Sequence, residues 1–280
     1  MSNQVGCLYV VATPIGNLSD ITARALEVLK SVDLVAAEDT RHSRKLMQHF
    51  GIDKPMVALH DHNEDAFSIK LVERLGAGEQ IALISDAGTP LISDPGFPLV
   101  RACRENDVEV IPIPGASALV TALSVAGLPT DRFRFEGFLP RKQQARREYL
   151  EGLVQETATL VFYESSHRVL DCLDDMAQVF GKNRYIVLAR ELTKLHETVL
   201  YGEVVQLQEV LRADDNQRKG EFVLMVAGAE PLAVDFDAEL DRCLKILLDE
   251  LPVKQAAALA ARLVGVKKNA AYQRALELRS

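Results

Sequence analysis

Two Ser-Asp pairs stand eight residues apart, Ser85-Asp86 and Ser93-Asp94, inside the stretch SDAGTPLISDPG at 85–96. Gly88 and Gly96 there permit positive φ or a close backbone approach. Asp86 closes an apolar run, where its carboxylate can accept hydrogen bonds from hydroxyls or an amino group. A turn-rich connection with Asp94 capping the next helix would use the same residues more plainly. ATPIGNL at 12–18 and PIPGASA at 112–118 are two more short turns that lead into helices, and such turns offer backbone N–H groups to a ligand. The first lacks G-x-G-x-x-G, so a dinucleotide fingerprint is absent, and an ordinary loop with Asp20 as cap is its simpler account. The second also fits a linker between domains.

Further polar residues gather where apolar runs end: EDTR at 38–41, HDHNE at 60–64, FYESSHR at 162–168, RELTKLHE at 190–197 and KGE at 219–221. They outnumber what helix capping needs, and a cleft between two domains explains them economically. His60 and His62 sit two residues apart with no evident third ligand, so no metal site is expected.

These loops need elements to hold them. Apolar runs at 7–12, 33–37, 56–59, 80–85 and 108–111 alternate with helical spacing at 21–31, 40–50, 65–75 and 96–106. Near-continuous apolar strands between helices predict a parallel sheet covered on both faces. A helix at about 116–126 leads to a second α/β block, with strands at 133–138, 159–163, 185–189 and 221–227 and helices near 141–154, 168–180 and 203–212. Pro231 marks a boundary, and helices at 237–250, 252–264 and 268–278, the last two parted by Gly265, suggest a helix-turn-helix unit. The expected division is an α/β domain over 1–117, a second over 118–232 and a helical extension over 233–280.

Composition narrows the class. With 48% hydrophobic and 26% charged residues the chain reads as a soluble globular protein, and no apolar run approaches the length of a membrane span. Cys7, Cys103, Cys172 and Cys243 are too scattered for a disulfide framework or a zinc knuckle. No secretory signal is evident, so the expected location is the cytoplasm. A net charge of −8 argues against a nucleic-acid partner unless positive charge is concentrated locally. The tail supplies that: over 252–280, Lys254, Arg262, Lys267, Lys268, Arg274 and Arg279 face a single acid, Glu277. Arg141, Lys142, Arg146 and Arg147 form a second basic cluster, and a solvated helical cap is the plainer reading of the tail.

VATPIGNLSDIT, AEDTR, HDHNE, SDAGTPLISDPG, PGASAL, FYESSHR, RELTKLHE and KGEFVLMV, in this order over the whole chain, resemble the tetrapyrrole methylase superfamily. Within it the pattern is similar to the branch that methylates ribosomal RNA. The resemblance implies two α/β domains of the tetrapyrrole methylase type with a C-terminal helix-turn-helix-like extension, S-adenosylmethionine as cofactor, and a homodimer. It implies as substrate the ribose 2′-hydroxyl of a cytidine in 16S ribosomal RNA, free or within the small ribosomal subunit. Carried over by position, Asp86, Gly88, Thr89, Ala116, Ser117, Phe162 and Tyr163 line the cofactor site, and Pro14 borders the transfer site.

A ribose hydroxyl is a poor nucleophile until its proton leaves, so a general base is expected. Glu38, Asp39, Glu64, Glu191 and a deprotonated Lys219 are the candidates, and the sequence does not choose among them. Arg41, Arg190 and Lys194 either contact phosphate, orient the carboxylates, or form ion pairs beneath the cleft. Arg141, Lys142, Arg146, Lys254, Lys267, Lys268 and Arg274 are the candidate RNA contacts. Two rivals share features with this reading: a methylase of small tetrapyrroles, and a DNA-binding regulator that reads through its helix-turn-helix.

Overall fold

The computed structural model describes residues 6–60, 62–230 and 236–278, with side chains in the tail from Ala238 onward. Asp61, Pro231, Arg279 and the expected boundary at 232/233 lie outside the described residues. The chain forms two units, one ending at Ala229 and one beginning at Glu230. The expected division at 117/118 falls inside the first, between two sheets.

The first sheet contains β1 (Cys7–Val11), β2 (Leu34–Ala37), β3 (Met56–Ala58), β4 (Ile81–Ile84) and β5 (Glu109–Ile113), all parallel, in the order β3-β2-β4-β1-β5. Its helices are α1 (Ala23–Ser31), α2 (Thr40–His49), α3 (Glu64–Gly76) and α4 (Phe97–Glu105). Side chains alternate across a strand, so each strand feeds two cores. In β2, Leu34 and Ala36 pack with Leu71 and Leu75 of α3 and Leu99 and Cys103 of α4. Val35 and Ala37 face the opposite way, onto Ala25 and Leu29 of α1 and Met47 of α2. Burial on both faces is why these strands read as unbroken apolar runs. Because α1 and α4 cover opposite faces, the neighbours β1 and β4 mark a topological switch point, where open α/β sheets leave a crevice at the strands' carboxyl ends.

Two expected caps differ. Thr22, not Asp20, caps α1, its hydroxyl accepting from Ala25 N at 3.1 Å; Asp20 lies in a preceding single turn of 3-10 helix. The residue before α4 is Gly96 at φ 126, not Asp94, which leaves Asp94 to face a cavity.

Helix α5 (Ala118–Ala126) leads into the second sheet. Its strands β6 (Phe133–Phe138), β7 (Thr159–Ser165), β8 (Tyr185–Arg190), β9 (Thr198–Glu203) and β10 (Glu221–Val226) run in the order β6-β7-β10-β8-β9. Only β6 and β7 pair in parallel; the other three pairings are antiparallel. Helices α6 (Gln143–Glu151), α7 (Val169–Val179) and α8 (Val204–Ala213) cover one face, around Leu160, Phe162, Leu188 and Leu224. The other face, with Val161, Val187, Val223 and Met225, receives α5 and Ile15 from the loop after β1. That contact is what joins the two sheets.

The second unit holds α9 (Phe236–Glu250), α10 (Val253–Val264) and α11 (Lys268–Glu277). They close on a small-residue core of Leu240, Leu244, Ala257, Ala260, Ala261, Ala271 and Ala275. Gly265 ends α10 at φ 76, the left-handed helix stop that glycine adopts at least cost. No helix of the described residues is long and apolar enough to cross a membrane.

Candidate active site

At the switch point the loop after β1 and the loop after β4 are pinned together. Thr13 N donates to Gly88 O at 2.8 Å and Gly88 N donates back to Thr13 O at 3.1 Å. The buried Thr13 hydroxyl also donates to Ser85 O at 3.2 Å. Gly88 reaches this bridge at φ 84, and two non-glycine residues farther along, Leu91 (φ 73) and Ser93 (φ 66), are also left-handed. Glycine takes this conformation freely, but Leu91 and Ser93 are held in it against their local preference, a strain that clusters at binding sites.

Against this floor lies a cavity of about 450 Å³. From the first sheet's loops it is lined by Ile15, Glu38, Asp86 and the 87–94 turn; from α5 by Ser117 and Ala118; from the second sheet by Phe138, Tyr163, Glu164, Leu192, Lys194 and Glu221, among others. Four carboxylates (Glu38, Asp86, Asp94, Glu221) thus face one ammonium, Lys194. Glu164, next to Tyr163 in β7, is 2% exposed and turns its side chain to the opposite, helix-covered face, near Cys172. Its Oε2 stands 3.3 Å from Arg168 Nη2 as an ion pair, yet accepts no hydrogen bond of good geometry.

The loops after β2 and β4 lock reciprocally. Asp39 N donates to Asp86 Oδ1 at 3.1 Å, and Asp86 N donates to Glu38 Oε2 at 3.4 Å. Asp39 itself turns away as the N-cap of α2, accepting from Arg41 N at 2.8 Å. The Arg41 guanidinium, followed by that backbone N–H, holds the Asp39 carboxyl far below the usual carboxylate range. Arg41 is engaged there and otherwise open to solvent. Glu64 accepts from Gly96 N at 2.8 Å and so braces the start of α4 rather than facing the cavity.

The second sheet closes the other side. Lys194 Nζ donates to Glu191 Oε1 at 2.9 Å and to Glu221 Oε2 at 2.6 Å. Burial alone would lower the Lys194 pKa, but these two carboxylates raise it, so the residue is a cation. Burial pushes Glu191 up, while Lys194 and the N–H of Glu221 outweigh it and bring the net shift down. Gly16 is the reason the Lys194 stem fits: a Cβ there would lie 2.4 Å from Lys194 Cγ. Tyr163 presents its phenol oxygen to Leu119 N at 3.1 Å, at the start of α5, and burial raises its pKa.

Of the other residues singled out in the sequence, Ala116 contributes its carbonyl, which accepts from Thr89 Oγ1 at 3.1 Å. Pro14 adjoins the lining residue Ile15 without lining the cavity itself. Phe162 does not face the cavity: strand alternation sends it into the opposite core while its neighbour Tyr163 faces in. Lys219 is exposed, its Nζ donating to Asn216 Oδ1 at 2.9 Å. Arg190 is buried and donates to Lys219 O at 2.6 Å and His196 O at 3.0 Å, so it ties loops together. Arg146 is 3% exposed and, with the partly exposed Arg147, grips the fully buried Asp175 at 2.6 Å, so the Arg146 guanidinium is spent on an internal ion pair. Arg274 is bound to Asp241 at 2.6 Å and Glu277 at 2.8 Å. Arg141, Lys142, Lys254, Arg262, Lys267 and Lys268 are exposed. No group of three metal-binding side chains occurs among the described residues. Glu221 stands in the KGE stretch singled out in the sequence but was given no role there; Phe138 escaped the sequence reading, its one sign being its place at the end of a predicted strand.

Comparison with known proteins adds an independent line. Residues 7–208 match the family of tetrapyrrole (corrin/porphyrin) methylases, and residues 234–279 match the RsmI C-terminal HTH domain. The chain is 56% identical to ribosomal RNA small subunit methyltransferase I of Escherichia coli O157:H7, over 98% of this chain and 96% of that protein. It is likewise 56% identical to the protein of that name from Haemophilus influenzae, over 98% and 97%. Among solved structures, uroporphyrin-III-C-methyltransferase from Thermus thermophilus superposes with a TM-score of 0.54 at 20% identity, covering 79% of this chain and 94% of that one, a likeness of fold.

Proposed function

This chain belongs to the tetrapyrrole methylase family, in the branch of the ribosomal RNA small subunit methyltransferases I, and from that premise we propose that it methylates a cytidine 2′-hydroxyl in 16S ribosomal RNA, using S-adenosylmethionine. The coarser statement, that it is a methyltransferase, follows from membership. A homodimer working in the cytoplasm goes with the same reading.

The observation that carries the proposal is the cavity's charge. A sulfonium is a cation, and a half-enclosed cavity with four carboxylates and one ammonium favours a cation. The group therefore fits the residues present. When bound, S-adenosylmethionine supplies an electrophilic methyl carbon on a good leaving group.

The chain's own part is positioning and proton handling. Asp86, held by Asp39 N, presents a fixed carboxylate to ligand hydroxyls or an amino group. The Thr13–Gly88 bridge fixes the floor, and Lys194 keeps Glu191 and Glu221 from repelling one another across the rim. Among the candidate bases Glu38 is the one that lines the cavity. Asp39 is engaged in capping, Glu64 in bracing α4, Glu191 in its ion pair, and Lys219 is turned to solvent. In our reading Glu38 accepts the proton of the 2′-hydroxyl as the oxygen bonds to carbon.

The test is transfer of label from radiolabelled S-adenosylmethionine to small subunits from cells lacking this protein, with free 16S RNA and uroporphyrinogen in parallel. We expect a 2′-O-methylated cytidine from wild type, and a fall in kcat of about 10²- to 10⁴-fold for Glu38→Gln with cofactor affinity retained. Label in the tetrapyrrole alone would overturn the substrate. A Glu38→Gln variant of wild-type kcat would overturn the base.

A further inference from the structure

We propose that Phe138 is a stacking platform for the nucleobase of the target nucleotide. This rests on the RNA reading above and deepens it.

Phe138 is a large apolar side chain, 56% exposed, at the mouth of a cavity that it also lines. Strand geometry alone would not put it there. Phe135 and Phe138 are three residues apart, so a regular strand would send them to opposite faces. Instead β6 slips register between Phe135 and Gly137: Phe135 pairs with Val161 and Gly137 with Phe162, so Glu136 is an extra residue. Such a bulge re-aims the side chains beyond it. Both rings consequently meet Tyr163 edge-on, with centroids 4.8 Å and 5.7 Å away. Gly137 adopts φ 65 at the turn, and a Cβ on it would come within 3.3 Å of Ser93 Oγ on the opposite rim.

The mount is rigid. Directly after Phe138, Leu139 is buried in the core, and Arg168 Nη2 donates to Leu139 O at 2.7 Å and Pro140 O at 3.0 Å. An exposed aromatic held this firmly loses little freedom when a planar ligand stacks on it. Charge says which part of a nucleotide arrives. Carboxylates inside the cavity repel phosphate, whereas Arg141 and Lys142, exposed three and four residues beyond Phe138, attract it. The backbone then stays outside while base and ribose enter, which calls for an unstacked base that needs a new stacking partner.

The experiment compares Phe138→Ala and Phe138→Tyr in the full chain. On small subunits, kcat/KM should fall about 10- to 100-fold for the alanine variant and stay near wild type for tyrosine. Affinity for S-adenosylmethionine by calorimetry should be unchanged in both. Wild-type kcat/KM in Phe138→Ala, or a loss explained by weaker cofactor binding, would overturn the proposal. A second readout does not need methylation: a single-stranded RNA carrying pyrrolocytidine, whose fluorescence drops on stacking, should be quenched by wild type and Phe138→Tyr but not by Phe138→Ala. Equal quenching by all three, or by none, would overturn the platform. Quenching by wild type without label in any RNA would overturn the enzymatic reading and leave the platform standing.

Discussion

Glu38 and Asp39 are adjacent carboxylates with separate work, and the hydrogen bonds divide it. Asp39 caps α2 and holds Arg41, which keeps its pKa far below the usual range; Glu38 accepts from Asp86 N and lines the cavity. A carboxyl whose pKa is lower folded than unfolded adds stability above the unfolded value, near 3.9, and loses it as pH falls through the folded value. Asp39→Asn keeps a capping oxygen and removes the charge. In urea melts the variant should therefore be less stable than wild type at pH 7, and the gap should narrow steadily below about pH 4. A gap that stays constant down to pH 2.5 would place its origin elsewhere.

At the scale of elements, the loop after β8 and the turn before β10 interlock through one missing side chain. Gly220 sits at φ 103, and a Cβ there would come within 2.5 Å of the Glu191 carboxylate, whose Oε1 accepts from Lys194 Nζ and Glu221 N. Gly220→Ala should cost about 1–3 kcal/mol, a drop of a few degrees in Tm. Glu191→Ala in the same chain should remove the clash, so the double variant should lose less than the sum of the two; strict additivity would rule the clash out. This interlock shows where the sequence was legible and where it was not. The apolar runs of the first sheet announced themselves because each is buried on both faces, and the polar loops at their ends followed. Strand β9 went unseen because its apolar run, at 199–201, is only three residues long, is largely half-exposed and directly follows a charged loop. Without it the antiparallel pairing of β8 was invisible, and so was the mixed sheet. Phe162 and Tyr163 were carried over together, although alternation allows only one of two adjacent strand residues to face a cavity. Phe138 could not be placed at all, since a bulge is a property of pairing with β7 and leaves no mark in β6 alone.

The whole molecule carries −8, yet its proposed substrate is a polyanion. The contradiction eases once charge is assigned to places. The acids of the cavity serve a cationic cofactor, and some of the bases are spent internally: Arg146 and Arg147 on Asp175, Arg274 on Asp241. Among the described residues from Pro252 onward, what remains outward is Lys254, Arg262, Lys267 and Lys268, the last two at the start of α11, where backbone N–H groups add to the attraction for phosphate. Exchanging all four for glutamine tests whether they touch RNA. Each phosphate contact contributes about 0.7–0.9 to the slope of log affinity against log salt. If these residues make such contacts, the quadruple variant should bind RNA more weakly at low salt, with a slope shallower by about 3, while S-adenosylmethionine affinity is unchanged. An unaltered slope would make the helical unit a cap, and the affinity for RNA would then have to come from the first unit, where Arg141 and Lys142 are exposed cations three and four residues beyond Phe138.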